Sequence, residues 1–365
     1  MSKGRVLVAM SGGVDSSLAA ALLKDEGYEV IGATMQIWPD VVPEVAENYG
    51  GCCSLVAVED ARRVADRLGI PYYVLNLRET FERAVVDDFV AEYSRGRTPN
   101  PCIICNHVVK FTALLEKALA LECRFIATGH YARVARDLGT GRHLILKARD
   151  NRKDQTYALY GLTQGQLAHV LWPLGGLTKP EVRRRAAACG LPTADKPESQ
   201  EICFVMDDDY ARFVRERAPE AFTPGPFKDI HGQVIGTHRG LPNYTVGQRK
   251  GLGLTAQRPM YVVRLEPDEN AVVLGFAEDV YSRGLEAGGC NFIPFDQLDG
   301  PMRVGVKVRY GAEEAPGVIE PIEGGDGIRA TFDRPQRAVT PGQAVVFYDD
   351  EVVVGGGKIE QAVSR

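Results

Sequence analysis

Residues 6–17, VLVAMSGGVDSS, are the stretch of sequence that decides the fold. The stretch begins with a short apolar run, continues through a turn with two adjacent glycines, and ends where a helical pattern starts. A short apolar run bounded by turn residues is typical of a buried parallel strand. The stretch therefore predicts a strand, a glycine turn and a helix in direct succession.

The glycine turn has the composition of an anion-binding loop. Gly12 and Gly13 permit positive φ angles, so that successive backbone N–H groups can surround an anion. The start of the following helix adds partial positive charge, and three hydroxyl groups add donors: those of Ser11, Ser16 and Ser17. Asp15 would repel a phosphate, so we expect it beside a Mg²⁺ ion that the phosphate holds. The Gly-Lys-Ser/Thr ending of a Walker A loop is absent, which makes this a loop of another type.

Strand and helix patterns alternate outward from this loop through the first half of the chain. Apolar runs predict strands at residues 30–37, 72–77 and 125–128. Helical spacing predicts helices at residues 15–26, 54–68, 80–93 and 111–121. Alternating strands and helices are typical of an α/β fold with a doubly wound parallel sheet, which binds its ligands at the carboxyl ends of the strands.

The second half of the chain has a different character. A β-hairpin pattern at residues 142–147 is followed by a helix at residues 179–189, which Thr178 is expected to cap. From Pro224 onward, glycine and proline become frequent and helical periodicity disappears. This change predicts that the remainder of the chain is built from strands.

Alternating residues support that prediction for the C-terminal part. Val304, Val306 and Val308 are separated by glycine and lysine, as in a strand with one buried face. Further strand patterns occur at residues 328–332, 344–348 and 352–354. We therefore predict three domains: a doubly wound domain over residues 1–205, a small central β-rich domain over residues 206–278, and a C-terminal β-barrel over residues 279–365.

Composition and charge exclude several classes of protein. The 365 residues carry a net charge of −5, whereas a protein that coats DNA or RNA without sequence preference is usually strongly basic. Positive charge is concentrated in residues 239–258, which contain four basic side chains and no acid. No apolar run reaches about 18 residues, so we expect no membrane partner. The first ten residues resemble neither a signal peptide nor a transit peptide, which favours a cytoplasmic location.

Three of the eight cysteines have surroundings that suggest chemistry. Cys102 and Cys105 form a C-x-x-C pair within residues 98–106, where two prolines and several polar residues predict a stiff turn between helices. Cys203 follows a polar stretch at residues 192–200, which is predicted to be a loop. A cytosolic chain of this length rarely uses cysteines as a disulfide framework, so redox, metal or sulfur chemistry becomes an option for these three.

These three thiols allow three interpretations. A redox or persulfide pair needs two thiols that can meet, one of them activated as a thiolate. A zinc site needs a fourth ligand, which His107 would supply. An iron–sulfur cluster would use the three cysteines and leave one iron open for sulfur. The other cysteines are predicted to be structural, with the vicinal pair the most ambiguous: Cys123, Cys189, Cys290 and the pair Cys52 and Cys53.

Several motifs together resemble a known family. The loop resembles the pyrophosphate loop, SGGxDS, of the ATP pyrophosphatase (PP-loop) superfamily. The full set is similar to the tRNA-specific 2-thiouridylase family (MnmA/TrmU). The matching runs occur in one order along the chain: residues 11–17, 96–101 with 105–106, 127–131, 153–155, 202–204, 247–253 and 340–343.

The resemblance implies an ATP-dependent tRNA sulfurtransferase. ATP would adenylate O2 of the wobble uridine in the anticodon loop, and pyrophosphate would leave. A cysteine persulfide would then deliver sulfur to C2, with 2-thiouridine and AMP as products. By position, Cys203 would carry the persulfide and Cys105 would be the nucleophile, and a Cys105–Cys203 disulfide would be the by-product.

The same resemblance assigns binding residues and partners. ATP, with Mg²⁺ near Asp15, would be bound by Ala9, Met10, Ser11, Gly12, Gly13, Val14, Asp15, Ser16, Ser17, Met35 and Gly129. The tRNA would be bound by Asn100, Pro101, Cys102, His130, Lys153, Asp154, Gln155, Arg309, Tyr310 and Gln343. Lysine, glutamate and glutamine tRNAs would be the substrates, and a cysteine desulfurase or sulfur-relay protein would be the sulfur donor.

Cys102 is a departure from one branch of the family. That branch has an aspartate at this position, to which acid–base work is assigned, and a thiol is not a simple replacement for a carboxylate. The departure raises the alternative of a [4Fe-4S] cluster on Cys102, Cys105 and Cys203, and we rank persulfide transfer first. A different PP-loop ligase or amidotransferase would share the loop without needing these thiols, whereas a noncatalytic RNA-binding module would not need the loop.

Overall fold

The computed structural model describes residues 3–37, 55–197, 202–205, 207–322 and 327–363. The chain divides into two compact units. The first comprises Met1–Val85, Cys102–Asp208 and Glu351–Val353. The second comprises Val86–Pro101, Asp209–Asp350 and Val354–Arg365. In the described part of the chain, none of the helices combines the length and apolar character that crossing a membrane requires.

A parallel sheet organises the first unit. Its strands and those of a neighbouring hairpin are β1 (Arg5–Ala9), β2 (Glu29–Gln36), β3 (Tyr72–Asn76), β4 (Phe125–Ala127), β5 (Arg133–Arg136), β6 (His143–Leu146) and β7 (Val170–Leu171). Among the described residues, five strands pair in the order β3-β2-β1-β4-β7, all parallel, and β5 and β6 form the hairpin. The chain builds outward from β1 in both directions, which confirms the doubly wound α/β fold.

Helices follow the predicted alternation with the strands. In chain order they are α1 (Val14–Asp25), α2 (Leu55–Leu68), α3 (Arg78–Phe81), α4 (Asp87–Ser94), α5 (Pro101–Ile104), α6 (Leu114–Ala120), α7 (Gln164–Leu167), α8 (Lys179–Ala188) and α9 (Tyr210–Arg217). Two π-helical segments, Glu82–Val86 and Cys105–Ala113, join α3 to α4 and α5 to α6. Thr178 is the N-cap of α8, as predicted, and the Glu181 carboxylate accepts hydrogen bonds from the N–H and hydroxyl of Thr178.

The core of the first unit lies on both faces of α1. Val6 and Val8 of β1 are fully buried, as expected for a central parallel strand covered on both faces. Leu18 and neighbouring alanines of α1 pack against this strand, and Val182 of α8 belongs to the same cluster. Because α1 carries small buried residues, Ala19, Ala20 and Ala21, it can pack close to the sheet.

The region that carries Cys102 and Cys105 differs from the prediction. Residues 98–106 were expected to form a stiff turn, with the next helix beginning at residue 111. Instead a helix begins at Pro101 and continues through the π-helical segment Cys105–Ala113. Proline is well suited to the first position of a helix, because its φ is preset and its missing N–H has no partner to lose there. Both cysteines therefore lie on a helical rod.

A smaller sheet occupies the central part of the second unit. It contains β8 (Gly225–Lys228), β9 (Val234–His238), β10 (Tyr261–Glu266) and β11 (Ala271–Gly275). Within the described ranges these four strands pair in the order β10-β11-β8-β9, with only β11 and β8 parallel. Phe227, Tyr244 and Val262 fill its core. This sheet agrees with the predicted central β-rich part.

A closed antiparallel barrel forms the C-terminal part. Its strands are β12 (Tyr281–Phe292), β13 (Met302–Lys307), β14 (Ala315–Pro321), β15 (Ile328–Arg337), β16 (Ala344–Asp349) and β17 (Val352–Val363). In the described residues these six pair in the order β12-β15-β14-β13-β16-β17, and β12 also pairs with β17 to close the barrel. Val304, Val306 and Val308 are buried in its core, as their alternation predicted. No strand was predicted at β12, because three glycines interrupt its pattern.

Candidate active site

A cavity of about 210 Å³ opens at the carboxyl ends of β1, β2 and β4. This is the position predicted for ligands of a doubly wound sheet, at the point where the strand order reverses. The lining residues come from five parts of the first unit: Ala9, Met10, Ser11, Asp15, Ser16, Ala33, Thr34, Met35, Lys110, Thr128, Gly129, His130 and Gln155. Seven of the eleven residues predicted for ATP binding are in this set.

Two glycines allow the backbone of the loop to pack closely around the cavity. Gly12 has a φ of +66°, and a Cβ atom at this position would lie 2.2 Å from the carbonyl oxygen of Ala57. A Cβ atom at Gly129 would lie 2.7 Å from the backbone nitrogen of Ser16. The segment after β4 therefore packs directly against the first turn of α1, and neither glycine leaves room for a side chain. A backbone cradle of this kind fits the phosphates of ATP.

The serines of the loop have different roles. The Ser16 hydroxyl accepts a hydrogen bond from the backbone N–H of Ser11 at 3.1 Å, and the two hydroxyls lie 3.3 Å apart at the cavity. The Ser17 hydroxyl donates to the carbonyl of Gly13 at 2.8 Å, and the side chain is fully buried. The Ser17 hydroxyl therefore closes the first turn of α1, and the role of Ser17 in ATP binding stays a prediction. Gly13, like Val14, shapes the loop without lining the cavity.

Asp15 is held by a lysine from α8. The Nζ atom of Lys179 lies 2.8 Å from each carboxylate oxygen of Asp15, and the hydroxyl of Tyr131 donates to the same carboxylate at 2.7 Å. The Lys179 side chain is only 10% exposed, so the pair is largely shielded from water. The backbone N–H of Lys179 also donates to Asp150 at 2.9 Å. A carboxylate beside a phosphate cradle is the ligand type that Mg²⁺ prefers, so Asp15 fits the predicted role.

Two further lysines contribute positive charge around the loop. Lys196 donates to the carbonyl of Gly12 at 3.1 Å and pairs with Asp60. Lys110 lines the cavity and donates to Asn106 at 2.9 Å. Sequence reasoning missed all three lysines, since they are far from the loop along the chain. The one available signal was the position of Lys179 directly after a helix cap.

His130 forms part of the cavity wall. It is 8% exposed, and its Nδ1 atom lies 2.6 Å from the hydroxyl oxygen of Thr128. Burial, with a smaller contribution from the charge of Lys110, holds the pKa of His130 well below its usual value. The imidazole is therefore neutral at physiological pH. His130 was predicted to contact tRNA; it lies in the wall of the predicted nucleotide cavity, and its contact with tRNA stays a prediction.

The predicted tRNA residues 153–155 have three separate environments. Gln155 lines the cavity and accepts a hydrogen bond from the backbone N–H of Tyr131 at 2.9 Å. The Asp154 carboxylate accepts from the N–H of Ala148 at 2.8 Å and from the Thr156 hydroxyl at 2.6 Å, so it stabilises its own loop. Lys153 lies in a second groove, whose lining includes two arginines: Arg149 and Arg152.

The C-x-x-C pair lies on the helical rod that enters the cavity. Cys102 is exposed on α5, and Cys105 is half-buried at the start of the π-helical segment. A π-helix bonds residue i to residue i+5, so Lys110 lies about one turn beyond Cys105 on the same segment. Lys110, five residues after Cys105 on the same segment, lines the cavity.

Cys203 is half-buried and precedes the buried Phe204. The ring of Phe204 is 3% exposed and packs edge-on against Phe81, with 5.8 Å between the ring centres. The polar residues just before Cys203, residues 198–201, lie outside the described residues, as do Cys52 and Cys53. Among the described residues, no three His, Cys, Asp or Glu side chains form a group that could hold a metal ion. Cys102, Cys105 and Cys203 thus do not form a ligand set here.

The remaining described cysteines have structural surroundings. Cys123 is buried after α6, and Cys189 is the C-cap of α8. Burial raises the pKa of the Cys290 thiol to about 12, so this thiol is a poor nucleophile. These surroundings favour the structural interpretation of the three cysteines.

Predicted tRNA residues in the second unit differ in exposure. Arg309 and Tyr310 lie just after β13, and Tyr310 is 50% exposed. Gln343 is half-buried and donates to the backbone within the protein. In the basic segment 239–258, Arg249 and Lys250 are exposed, but the following arginine forms an ion pair with an acid outside the segment: Arg258 with Glu278 at 3.0 Å. The local excess of positive charge is therefore smaller than the sequence suggests.

The fold and the cradle define a nucleotide-binding α/β domain of the PP-loop class, followed by two β-rich parts. Family profiles match the chain in three consecutive regions: a tRNA methyl transferase HUP domain at residues 4–207, a tRNA methyl transferase PRC-barrel domain at 211–276, and an aminomethyltransferase beta-barrel domain at 282–359.

Curated relatives match the whole chain. It is 59% identical to the tRNA-specific 2-thiouridylase MnmA of Symbiobacterium thermophilum, over 99% of this chain and 93% of that protein. It is 57% identical to the protein of the same name from Acetivibrio thermocellus, over 99% and 100% of the two chains. It is 55% identical to the Carboxydothermus hydrogenoformans protein of that name, over 99% of each chain. The chain belongs to the tRNA-specific 2-thiouridylase (MnmA) family.

The close packing at Gly12 generates a prediction about this glycine. Gly12→Ala should lower the thermal midpoint of the first unit and abolish ATP binding, because it combines an unfavourable φ, worth roughly 1–2 kcal/mol, with a clash against Ala57. Gly27→Ala is the matched control, since Gly27 has a φ of +92° and open space at its Cβ position. Differential scanning fluorimetry and ATP titration would measure both effects. Equal losses in the two variants would show that the close approach is unimportant.

Neutral His130 generates a prediction about pH. Because its folded-state pKa is depressed, the unfolded chain takes up a proton below about pH 6.5 while the folded protein does not. The contribution of neutral His130 to the free energy of unfolding is therefore fully present above about pH 6.5. As the pH falls from there towards the folded-state pKa, the free energy of unfolding decreases by about 1.4 kcal/mol per pH unit. His130→Gln should make the free energy of unfolding less dependent on acid pH, as measured for the unfolding transition that ATP stabilises. His231→Gln, on the surface, should keep the wild-type slope. Parallel slopes for all three proteins would contradict the assignment.

Proposed function

We propose that the protein is an ATP-dependent tRNA uridine 2-sulfurtransferase that converts the wobble uridine to 2-thiouridine. The observation that carries the proposal is the helical rod. The rod contributes Lys110 to the nucleotide cavity and presents Cys105 about one turn earlier. Under the proposal, this arrangement would bring a thiol near the site where an activated RNA oxygen would form. The names of the relatives, which are tRNA-specific 2-thiouridylases, support the same reaction.

The first part of the proposal concerns ATP binding. The adenine would pack against Ala9 and Met35, which form the apolar side of the cavity. Backbone N–H groups of the glycine loop would bind the phosphates, and Lys179 and Lys196 would compensate their charge. Asp15 would hold Mg²⁺, which would supply charge neutralisation for the phosphates.

The activation step follows from leaving-group chemistry. O2 of uridine would attack the α-phosphorus of ATP, so that an O–P bond forms and the bond to pyrophosphate breaks. Pyrophosphate would leave with the electron pair, and the lysines around the loop would stabilise its charge. A carbonyl oxygen leaves poorly by itself, whereas AMP is a good leaving group. The adenylated base is therefore ready for attack at C2.

The sulfur step uses two thiols. The terminal sulfur of a Cys203 persulfide would attack C2 and displace AMP. Cys105 as a thiolate would then attack the Cys203 sulfur, which breaks the persulfide bond and leaves sulfur on the base. This sequence produces a Cys105–Cys203 disulfide, and an external dithiol reductant would restore both thiols. A cysteine desulfurase or relay protein would reload Cys203.

The RNA would be bound by residues from the first half of the chain and from the C-terminal barrel part. Flipping the wobble base out of the anticodon loop is needed before C2 can be reached. Asn100 and Pro101 would receive the base, Lys153 would contact backbone phosphate, and Arg309 and Tyr310 would add a charge and a stacking surface. We propose lysine, glutamate and glutamine tRNAs as substrates, and the cytosol as the location. We also propose domain boundaries at residues 205/206 and 278/279.

A nucleoside assay tests the proposed reaction. Wild-type protein with ATP, Mg²⁺, tRNA and a persulfide donor should produce 2-thiouridine, detected by mass spectrometry of digested tRNA. Cys203→Ser should abolish 2-thiouridine but retain tRNA-dependent pyrophosphate release, since adenylation does not need this thiol. Cys290→Ser is the matched control and should retain both activities.

The same assay separates the competing interpretations. If the protein contains no iron after anaerobic chelation and still forms 2-thiouridine, persulfide transfer is supported. If 2-thiouridine formation rises and falls with the amount of bound iron, the cluster on Cys102, Cys105 and Cys203 is supported. Pyrophosphate release stimulated by a small acid and not by tRNA would replace the proposal with a PP-loop ligase or amidotransferase.

The Asp15–Lys179 pair generates a second prediction. Asp15→Asn should abolish pyrophosphate release, because the carboxylate would hold Mg²⁺, and should leave tRNA affinity nearly unchanged, because its described partners Lys179 and Tyr131 are not predicted tRNA contacts. Lys179→Met should weaken ATP binding at least tenfold, because an uncompensated Asp15 carboxylate would then repel the phosphates. Lys117→Met removes an exposed lysine on α6 and serves as control. Calorimetric ATP titrations at several Mg²⁺ concentrations would measure these effects, and unchanged affinity for Lys179→Met would contradict the role.

A further inference from the structure

Two motifs that are about 240 residues apart in sequence meet in the second unit. One is the segment 96–101, which ends at the start of α5, and the other is the turn 340–343 between β15 and β16. The backbone N–H of Thr98 donates to the carbonyl of Pro341 at 2.9 Å. The side-chain amide of Gln343 donates to the carbonyls of Thr98 and Pro99 at 2.9 and 3.1 Å. We call this set of contacts the clasp.

The clasp requires close approach of two backbones. Gly342 has a φ of +91°, and a Cβ atom there would lie 2.8 Å from the backbone nitrogen of Thr98. It would also lie 3.0 Å from Cβ of Arg97. A side chain at position 342 would therefore push the two segments apart, which explains the glycine in the turn.

A network of ion pairs around one buried carboxylate holds the other side of the clasp. The Glu92 carboxylate is nearly buried, and it pairs with Nε of Arg97 at 2.9 Å and with Nζ of Lys358 at 3.2 Å. Arg97 also pairs with Glu360 at 2.6 Å and donates to the carbonyl of Ile359 at 3.1 Å. Arginine can make these contacts together because its guanidinium presents several donors in one plane. The segment is thus tied to β17 by its side chain and to the turn by its backbone.

The hydrogen-bond capacity of Gln343 determines what it can do. Its amide nitrogen carries two hydrogens, and the contacts with Thr98 and Pro99 use both. With the clasp closed, this amide has no hydrogen left for an RNA phosphate or base. Asn100 and Pro101 follow Pro99 directly, and they are the residues that would receive the wobble base under the proposed function.

We infer that Gln343 and Arg97 are positioning residues that set the shape of the base-receiving segment 97–101, and that Gln343 affects tRNA through this segment. The inference rests on the proposed function for the identity of the base, but the clasp itself is a property of the RNA-free protein. A residue that only contacts RNA would leave the free segment unchanged when it is replaced. A positioning residue would not.

Hydrogen exchange and steady-state kinetics test the inference together. In RNA-free protein, Gln343→Glu should accelerate amide exchange in the peptide containing Thr98 at least tenfold, because a carboxylate repels the two carbonyls. The same variant should lower kcat for 2-thiouridine formation more than it raises KM for tRNA. Gln233→Glu adds the same charge to an exposed position directly before β9 and is the matched control, with wild-type exchange at Thr98.

Two further variants keep the result interpretable. Gln343→Met is nearly isosteric and lacks donors, so it should reproduce the faster exchange even if the glutamate variant folds poorly. Arg97→Lys keeps the charge but not the planar set of donors, and should also accelerate exchange at Thr98. Wild-type exchange in both variants, with weaker tRNA binding in Gln343→Met, would overturn the inference in favour of a direct RNA contact. Failure of the wild type to form 2-thiouridine would overturn the proposed function and leave the exchange result standing.

Discussion

The close approach of backbone to backbone around the glycine loop is the constraint on which the site depends. Gly12 lies against Ala57, and Gly129 lies against the first turn of α1, with no space for a Cβ atom at either position. This packing holds the end of β1, the start of α1 and the end of β4 at one edge of the sheet. The cavity exists because these three segments converge there.

Charge compensation is the second level of organisation. The loop carries an acid, and an acid near phosphates is useful only when a cation balances it. Lys179 provides that balance from α8 and also donates to Asp150, so it connects the loop with residues near the predicted tRNA contacts 153–155. The neutral His130 avoids a further positive charge in a wall that already contains Lys110. The polarity of the cavity therefore results from paired charges and not from a general excess of one sign.

Helical structure decides how the thiols are presented. Cys102 and Cys105 lie on a rod that begins at Pro101, and the same rod lines the cavity with Lys110. The second unit ties the preceding segment to the turn of residues 340–343. Motifs at 96–101 and 340–343 can be recognised separately in the sequence, and their contact in the fold gives a physical reason for both. Gly342 and Arg97 both contribute to the clasp, the glycine by close backbone approach and the arginine by its contacts with β17.

The sequence alone determined the α/β class, the glycine loop, the position of the cavity and the inward face of Val304, Val306 and Val308, because these depend on local composition and on spacing of two or 3.6 residues. It did not reveal β12, whose glycines interrupt that spacing, or the helix at Pro101. The partners of Asp15 and Gln343 were decided only by the tertiary structure. Lys179 is 164 residues from Asp15, and Thr98 is 245 residues from Gln343. Contacts over such separations depend on how strands and helices pack, which no local pattern encodes.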